Sequence, residues 1–247
     1  GEWYMRALSK KENIGSRTSE GSKIYLNAQT WAVLGDVVDE EKLPKLLTSV
    51  DSMEHDFGFP LNMPPYEKYS PNVGRMSGML PGLFENGGVY CHATGFKILM
   101  DCKLGRAEKA LCTLKKIMPD SEKNPSTQSG AEPYVFTNCY STHPKYYGKS
   151  YWSWTTGTSA WCMKGLYEGI MGVKRGYDGL EIADKDDFKE FLENNRKYWD
   201  YVDEELERLK EADTKITVYL DGGNDGLSEL EKIEKSIKLL KEADINN

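Results

Sequence analysis

The stretch LFENGGVYCHATGFKILMDCKLGRAEKAL, residues 83–111, decides the fold. Its glycine-rich start, ENGG, leads into an apolar segment that is rich in small residues, and Gly105 and Arg106 separate that segment from a more charged one. An apolar, small-residue segment is typical of a helix that is buried on all sides, whereas a charged segment with one apolar stripe is typical of an outer helix. The pattern predicts two helices, over residues 90–103 and 106–118.

The same alternation occurs on both sides of this stretch. Residues 26–35 are apolar, with Gly35 placed to end a helix, residues 40–54 are polar with one apolar face, and residues 155–171 are apolar again. The connections are long, and residues 57–88 contain five prolines and six glycines. A four-helix bundle has short connections, so the mainly α pattern favours an α/α toroid of inner and outer helices. The predicted helices make up about half of a closed ring of twelve.

Composition and charge exclude several classes of protein. The 247 residues are 39% hydrophobic and 29% charged, and the formal net charge of −7 argues against a nucleic-acid-binding surface. The chain contains no run of eighteen apolar residues and no basic and apolar leader, so we expect neither a membrane span nor a secretory signal. Five cysteines without a CxxC pair favour reduced thiols. These features predict a cytoplasmic protein with no membrane or nucleic-acid partner.

A change in composition near Asp184 predicts a boundary between residues 1–183 and residues 184–247. The second part carries 19 Asp and Glu against 11 Lys and Arg, and it contains no cysteine or histidine. Its patterns predict a short helix–strand–helix tail. Three interpretations of this tail stay open: a packing or interaction element, another part of the protein, or an artificial junction. The sequence DGGNDG in this tail lacks the ligands of a calcium loop, because Gly223 and Lys232 occupy two ligand positions. We therefore expect no metal site.

Three motifs in order along the chain carry a family resemblance. They are the stretch quoted above, EPYVFTNCY at residues 132–140 and WSWTTGTSAW at residues 152–161. Together they resemble the cellobiose and chitobiose phosphorylase family over residues 2–182. The resemblance implies the C-terminal half of an (α/α)6 barrel and a homodimer of the whole enzyme. It also implies that inorganic phosphate cleaves a β-linked disaccharide or oligosaccharide to a sugar 1-phosphate with inversion and without a cofactor.

Phosphate is itself a nucleophile, so such a site needs donors to phosphate and one carboxylic acid, but no general base. Thr156 and Gly157 precede an apolar helix and match the family's phosphate-contacting pair, although threonines there also serve as helix caps. His92 follows ENGG and is a second predicted phosphate ligand, with a purely structural histidine as the alternative.

The predicted sugar contacts are Glu85 and Asn138. Glu85 lies beside glycines in a loop, and the resemblance places it in the donor subsite; a carboxylate that braces the loop is the alternative. Asn138 falls where relatives often have a glutamine. The aromatic residues Tyr151, Trp152 and Trp154 could stack on sugar rings or pack in a core.

The resemblance places the general acid, an aspartate, and a phosphate-binding arginine upstream of these motifs. Asp51, Asp56 and Asp101 have the charged or helix-end surroundings of solvated residues. We therefore predict no catalytic acid in this chain and expect the N-terminal half of the enzyme as a separate chain or a missing segment. The alternatives are a non-catalytic carbohydrate-binding or assembly subunit and a glucan-synthase processing domain.

Overall fold

The computed structural model describes residues 1–8, 13–154, 156–177 and 179–182, and this part of the chain is mainly helical with few, short strands. The chain divides into the units Gly1–Glu181 and Ile182–Asn247, so the description concerns the first unit. The predicted boundary at Asp184 and the predicted helix–strand–helix tail lie outside the described residues. The helices are α1 Leu26–Leu34, α2 Leu43–Asp51, α3 Cys91–Lys103, α4 Ala107–Ile117, α5 Ser126–Ser129 and α6 Thr158–Lys164.

The strands have two or three residues each and pair locally. They are β1 Ala7–Leu8, β2 Asn13–Ile14, β3 Ile24–Tyr25, β4 Asn62–Met63, β5 Val89–Tyr90, β6 Cys139–Tyr140, β7 Ser150–Tyr151, β8 Val173–Arg175 and β9 Leu180–Ile182. Strands β1 and β2, β3 and β4, and β8 and β9 form two-stranded sheets, and β5, β6 and β7 form one sheet in that order. None of the described helices is both long enough and apolar enough to cross a lipid bilayer.

Helix α3 lies at the centre of the helical part and contacts α1, α4 and α6. Small residues allow α3 and α6 to approach closely. A Cβ atom at Gly95 would lie 2.8 Å from Cβ of Trp161, and one at Gly165 would lie 2.8 Å from Cγ2 of Ile98. Larger residues at either position would push the two helices apart.

Helices α2 and α4 cover the outside of this inner layer, each with one buried face. Leu46 and Val50 of α2 pack with residues of α1 and α3 in one hydrophobic cluster. Ala110, Leu114 and Ile117 of α4 pack in a second cluster with residues of α3, α6 and the three-stranded sheet. The extensive burial of α3 and the one-sided burial of α2 and α4 agree with the predicted inner and outer helices, whereas α6 buries only Thr158 and Cys162.

The helix that the sequence predicts over residues 155–171 begins later and ends differently. Its α-helical part starts at Thr158, and residues Gly165–Ile170 continue as a π-helical turn. Thr155 lies outside the described residues. The predicted helix over residues 40–54 is also shorter than expected and spans Leu43–Asp51.

Asp101 is fully buried, which contradicts the expectation of a solvated carboxylate. Its Oδ2 lies 2.5 Å from Nζ of Lys97, one turn earlier on α3, and both side chains have 0% exposure. Arg106 pairs with Asp101 at 3.2 Å and with Asp51 at 2.5 Å, so the half-buried Asp51 is also paired rather than solvated. An acid can lie in the core when cations surround it. This ion network ties α2, α3 and α4 together.

Two buried asparagines hold the loop of residues 57–88 in place. Asn62 Oδ1 accepts a hydrogen bond from the Gly87 N–H at 2.9 Å. Asn86 Oδ1 accepts from the Tyr66 N–H at 2.6 Å, and its Nδ2 donates to the carbonyls of Tyr66 and Met79. Because Asn86 is fixed on both sides, the neighbouring Glu85 has a defined position.

Candidate functional site

A three-stranded antiparallel sheet gathers the three motifs. Tyr90 of β5 pairs with Cys139 of β6, and Cys139 pairs with Tyr151 of β7. The end of β5, the beginning of β6 and the end of β7 therefore lie side by side at one edge. The residues that continue from this edge are His92, Asn138 and the segment that leads to Gly157.

Asn138 lies at the amino end of α3. Its carbonyl accepts a hydrogen bond from the N–H of Cys91, the first residue of the helix, at 2.8 Å, and its own N–H donates to the Trp152 carbonyl at 3.3 Å. One of the helix-start N–H groups that lack an intrahelical partner is thus satisfied by the neighbouring strand. His92, the next residue of α3, is held beside Asn138.

The imidazole of His92 packs directly against Gly157. A Cβ atom at position 157 would lie 3.0 Å from Cε1 of His92 and 3.3 Å from its Nε2, so any larger residue would force the ring to shift by a few tenths of an ångström. Beneath the ring, Trp31 of α1, Phe96 of α3 and Trp161 of α6 form an aromatic cluster, and His92 lies 5.0 Å from Phe96 between ring centroids. The structure therefore brings two of the predicted phosphate ligands into contact.

Burial lowers the pKa of His92 below the ordinary value of 6.5. The imidazole is therefore neutral at pH 7, with one N–H that can donate a hydrogen bond. Of the two forms that suit phosphate, the cation and the neutral donor, this environment favours the neutral donor.

Thr156 closes the turn before α6. Its Oγ1 accepts a hydrogen bond from the Thr158 N–H at 3.1 Å and lies 2.6 Å from Oγ1 of Thr158, which in turn donates to the Thr137 carbonyl at 3.2 Å. A carbonyl only accepts, so Thr158 donates to it and the Thr156 hydroxyl must donate to Thr158. In this arrangement Thr156 has the role of a cap, and contact with an anion would require its hydroxyl to rotate.

Glu85 lines a cavity whose lining includes neither His92 nor Gly157. Its Oε2 is buried and has no hydrogen-bond partner among the described residues, so this oxygen does not brace the loop. The cavity, of about 600 Å³, is lined by Glu85 together with Arg6, Tyr25, Asn27 and Arg75, among others, and the other four predicted site residues are not part of its lining.

Glu85 is nevertheless close to the sheet. Burial, and in second place the charge of Glu85, raise the pKa of Cys139 to about 12. Cys139, the first residue of β6, directly follows Asn138, so Glu85 lies near the strand that begins after Asn138.

Three aromatic residues beside this sheet have an unusual backbone. Phe84, Trp152 and Trp154 have φ of 50°, 56° and 74°, a region that bulky residues rarely adopt. Phe84 and Trp152 stack with ring centroids 4.4 Å apart, while Trp152 and Trp154 are 46% and 67% exposed. Among the described residues, these two tryptophans are therefore not packed in a core. Nothing in their residue type could have predicted the positive φ.

Sequence reasoning missed the other residues around Glu85. Asn27 occurs in a segment that reads as a buried helix, and Arg75 is the sole arginine of residues 57–88, which is the one signal that could have drawn attention to it. Within the described ranges, no group of three or more His, Cys, Asp or Glu side chains could hold a metal ion. All five cysteines are free thiols.

Comparisons with known proteins agree on one family. Residues 1–172 match the glycosyl hydrolase 94 superfamily, catalytic domain. The solabiose phosphorylase of Paenibacillus borealis is 41% identical over 187 residues, which cover 74% of this chain and 24% of that protein. The 3-O-beta-D-glucopyranosyl-beta-D-glucuronide phosphorylase of Paenibacillus borealis is 35% identical over 186 residues, with 74% and 24% covered.

A more distant relative shows the same coverage. The N,N'-diacetylchitobiose phosphorylase of Vibrio proteolyticus is 28% identical over 187 residues, with 74% of this chain and 23% of that protein covered. The chain thus spans about a quarter of the length of the curated relatives it matches. The helical architecture, the ordered motifs and the match over residues 1–172 lead to one conclusion: this chain belongs to the glycosyl hydrolase 94 family.

Proposed function

We propose that this chain is part of an inverting β-glycoside phosphorylase, which uses inorganic phosphate to cleave a β-linked disaccharide or oligosaccharide to a sugar 1-phosphate. Membership of the glycosyl hydrolase 94 family supports the reaction, and the relatives described above are named as phosphorylases. The observation that carries the proposal is the contact of the His92 imidazole with Gly157 at the start of α6.

In the proposed reaction, a phosphate oxygen attacks the anomeric carbon from the face opposite the glycosidic oxygen. The C1–O bond breaks, and a carboxylic acid outside this chain protonates the leaving oxygen. The neutral His92 donates its N–H to a phosphate oxygen. Backbone N–H groups at the start of α6, other than that of Thr158, which bonds Thr156 Oγ1, donate to the same anion. Both contacts orient the phosphate nucleophile, and neither adds a second cation to the arginine that is expected upstream.

The donor sugar lies against Glu85 and Asn138. The carboxylate of Glu85, a residue that lines this cavity, accepts a hydroxyl hydrogen of the sugar. Such a contact strengthens as the sugar ring gains positive charge in the transition state. Asn138 is one carbon shorter than glutamine and reaches the sugar from the amino end of α3.

The described helices fit one half of an (α/α)6 barrel, with α1, α3 and α6 in the inner ring and α2 and α4 in the outer ring. The rest of the barrel, including the acid, belongs to residues outside this chain. The barrel portion comprises residues 1–183. The whole enzyme is a cytoplasmic homodimer with no cofactor.

The experiment uses the intact enzyme that contains this segment. It measures sugar 1-phosphate released from β-linked disaccharides as a function of phosphate concentration. His92→Ala should raise the KM for phosphate about tenfold or more, because an anion loses one direct donor. His143→Ala is the matched control, since His143 lies in a different loop and its Nδ1 accepts from the Lys145 N–H.

Two results would contradict the proposal. Release of sugar without any need for phosphate would indicate a hydrolase. Sugar binding that is indifferent both to phosphate and to His92→Ala, without turnover, would favour the non-catalytic binding subunit.

A further inference from the structure

Three aromatic side chains that the proposed reaction does not use form a cluster beside the His92 imidazole. They are Trp31 of α1, Phe96 of α3 and Trp161 of α6, so each of these three helices contributes one ring. Phe96 and Trp161 meet edge to face, with ring centroids 4.8 Å apart at an interplanar angle of 87°. Trp31 contacts both of these rings, at centroid distances of 5.1 and 6.3 Å. The three rings therefore hold one another in place.

The backbone of α3 fixes where the Trp161 side chain begins. A Cβ atom at Gly95 would lie 2.8 Å from Cβ of Trp161, so this side chain starts directly against the backbone of α3. Gly95 follows His92 by three residues, which is close to one turn of the helix. The indole of Trp161 therefore leaves α6 at the level of the α3 turn that carries His92.

The imidazole of His92 contacts both aromatic rings and the turn before α6. Its centroid lies 6.1 Å from that of Trp161, and the two planes are 32° apart, which is closer to parallel than to perpendicular. Phe96, one turn later on α3, lies 5.0 Å away. The contact with Gly157 involves Cε1, Nε2 and Nδ1 of the imidazole. A ring that is packed against two aromatic side chains and a backbone segment has few other rotamers open to it.

The charged groups on the surrounding helices are occupied with one another rather than with His92. Helix α1 and the turn at residues 156–157 contain no charged residue. The charged residues of α3 and α6 all form ion pairs, which are Lys97–Asp101, Lys103–Asp36 and Lys164–Glu168. Burial is the cause that lowers the pKa of His92. The aromatic rings packed on the imidazole contribute to this burial, so they also help to keep it uncharged at pH 7.

We propose that Trp161 is a positioning residue for phosphate binding, because its indole holds the His92 imidazole against Gly157 with its N–H directed at the anion. This inference rests on the proposed phosphorylase function. Trp161 touches neither substrate and acts through His92. Without the indole, the imidazole gains room to turn away from Gly157 and becomes more hydrated. Phosphate binding then weakens, while the sugar contacts of Glu85 and Asn138 stay in place.

The test uses the intact enzyme and measures the KM for phosphate and the KM for the disaccharide separately. Trp161→Leu should raise the KM for phosphate about tenfold, since a misplacement of about 1 Å can cost about a hundredfold and the loosened ring moves less than that on average. The KM for the disaccharide should change by less than about twofold. Trp161→Phe keeps an aromatic ring and should recover most of the loss. Trp3→Leu is the matched control, because Trp3 is also half-buried but donates to the carbonyls of Gly15 and Lys23; it should lose stability and keep its KM for phosphate.

The pH profile of the KM for phosphate gives a second readout, which follows the charge of the imidazole. In the unchanged enzyme, His92 gains its proton below pH 6.5, because burial lowers its pKa. After Trp161→Leu the more hydrated imidazole has a pKa closer to the ordinary value, so the corresponding change in KM should move to higher pH. Phosphate titrates in the same way in every variant, and His92→Gln should abolish the change that belongs to the imidazole. A residue that only supports the fold would lower the thermal unfolding temperature and leave this profile in place.

The possible outcomes distinguish the positioning role from the reaction itself. An unchanged KM for phosphate in Trp161→Leu, an equal rise in the KM for both substrates, or a pH profile that does not move overturns the positioning role and leaves the phosphorylase function intact. If Trp161→Leu does not fold, Trp161→Phe decides in the same way, with an expected rise in the KM for phosphate of about twofold to threefold. Failure of the unchanged enzyme to release sugar 1-phosphate contradicts the phosphorylase function.

Discussion

Gly157→Ala tests the contact on which the proposed phosphate site depends. The new Cβ would lie 3.0 Å from Cε1, 3.3 Å from Nε2 and 3.4 Å from Nδ1 of His92. These separations are shorter than ordinary carbon contacts of about 3.5–4.0 Å, so the imidazole must retreat by a few tenths of an ångström. A displacement of about 1 Å in a ligand-positioning group can reduce activity about a hundredfold, so this smaller shift should have a smaller effect. Overpacking costs about 1–3 kcal/mol of stability.

The assay is phosphorolysis by the intact enzyme at varied phosphate concentration. We expect Gly157→Ala to raise the KM for phosphate by about threefold to tenfold with a modest loss of thermal stability. Gly165→Ala is the matched control, because its Cβ would lie 2.8 Å from Cγ2 of Ile98 and would disturb the packing of α6 on α3 without touching His92. This control should lose stability but keep its KM for phosphate.

A double-mutant cycle shows whether the effect acts through the imidazole. If Gly157→Ala impairs phosphate binding by displacing His92, then adding it to His92→Ala should cause little further loss. Fully additive effects, or an unchanged KM in Gly157→Ala, would refute the reasoning.

Three further predictions concern the supporting structure. Asp101→Ala should reduce the free energy of unfolding by about 3–5 kcal/mol in urea titrations because it leaves the Lys97 ammonium buried, whereas Lys97→Met with Asp101→Leu should recover most of that loss. Since burial holds the pKa of His92 below 6.5, the unfolded chain binds protons first as pH falls below 6.5, and stability declines there; His92→Gln should make that decline shallower. Asn86→Ala should cost about 2–4 kcal/mol through its buried partners and weaken saccharide binding at the neighbouring loop position, whereas the exposed Asn13→Ala should change neither measurement.

The helical layers could be predicted because their signals are local. Gly105 adopts a φ of 70°, which ends α3 cleanly and separates it from α4 within two residues of the predicted positions. The burial of Asp101 could not be predicted in the same way, because hydrophobic patterning treats every carboxylate as solvated. Its spacing of four residues from Lys97 is a local signal, but the same spacing is common on exposed helix faces.

The members of the candidate site could be predicted, but their arrangement in space could not. The resemblance named His92 and Gly157, and their contact depends on the close approach of α3 and α6. The position of Glu85 beside Asn27 and Arg75 depends on how residues 57–88 fold, which is set by the buried amides of Asn62 and Asn86. No pattern in the sequence reveals such loop contacts.

The sheet formed by β5, β6 and β7 also limits how this protein can be recombined with its relatives. A chimera whose crossover falls between residues 90 and 150 would pair strands of different parentage and would shift Asn138 relative to the first turn of α3. Crossovers before residue 82 or after residue 158 keep all three strands from one parent. Exchanges at those places should therefore preserve catalytic geometry, and libraries built from them should yield more active members than libraries cut within the sheet.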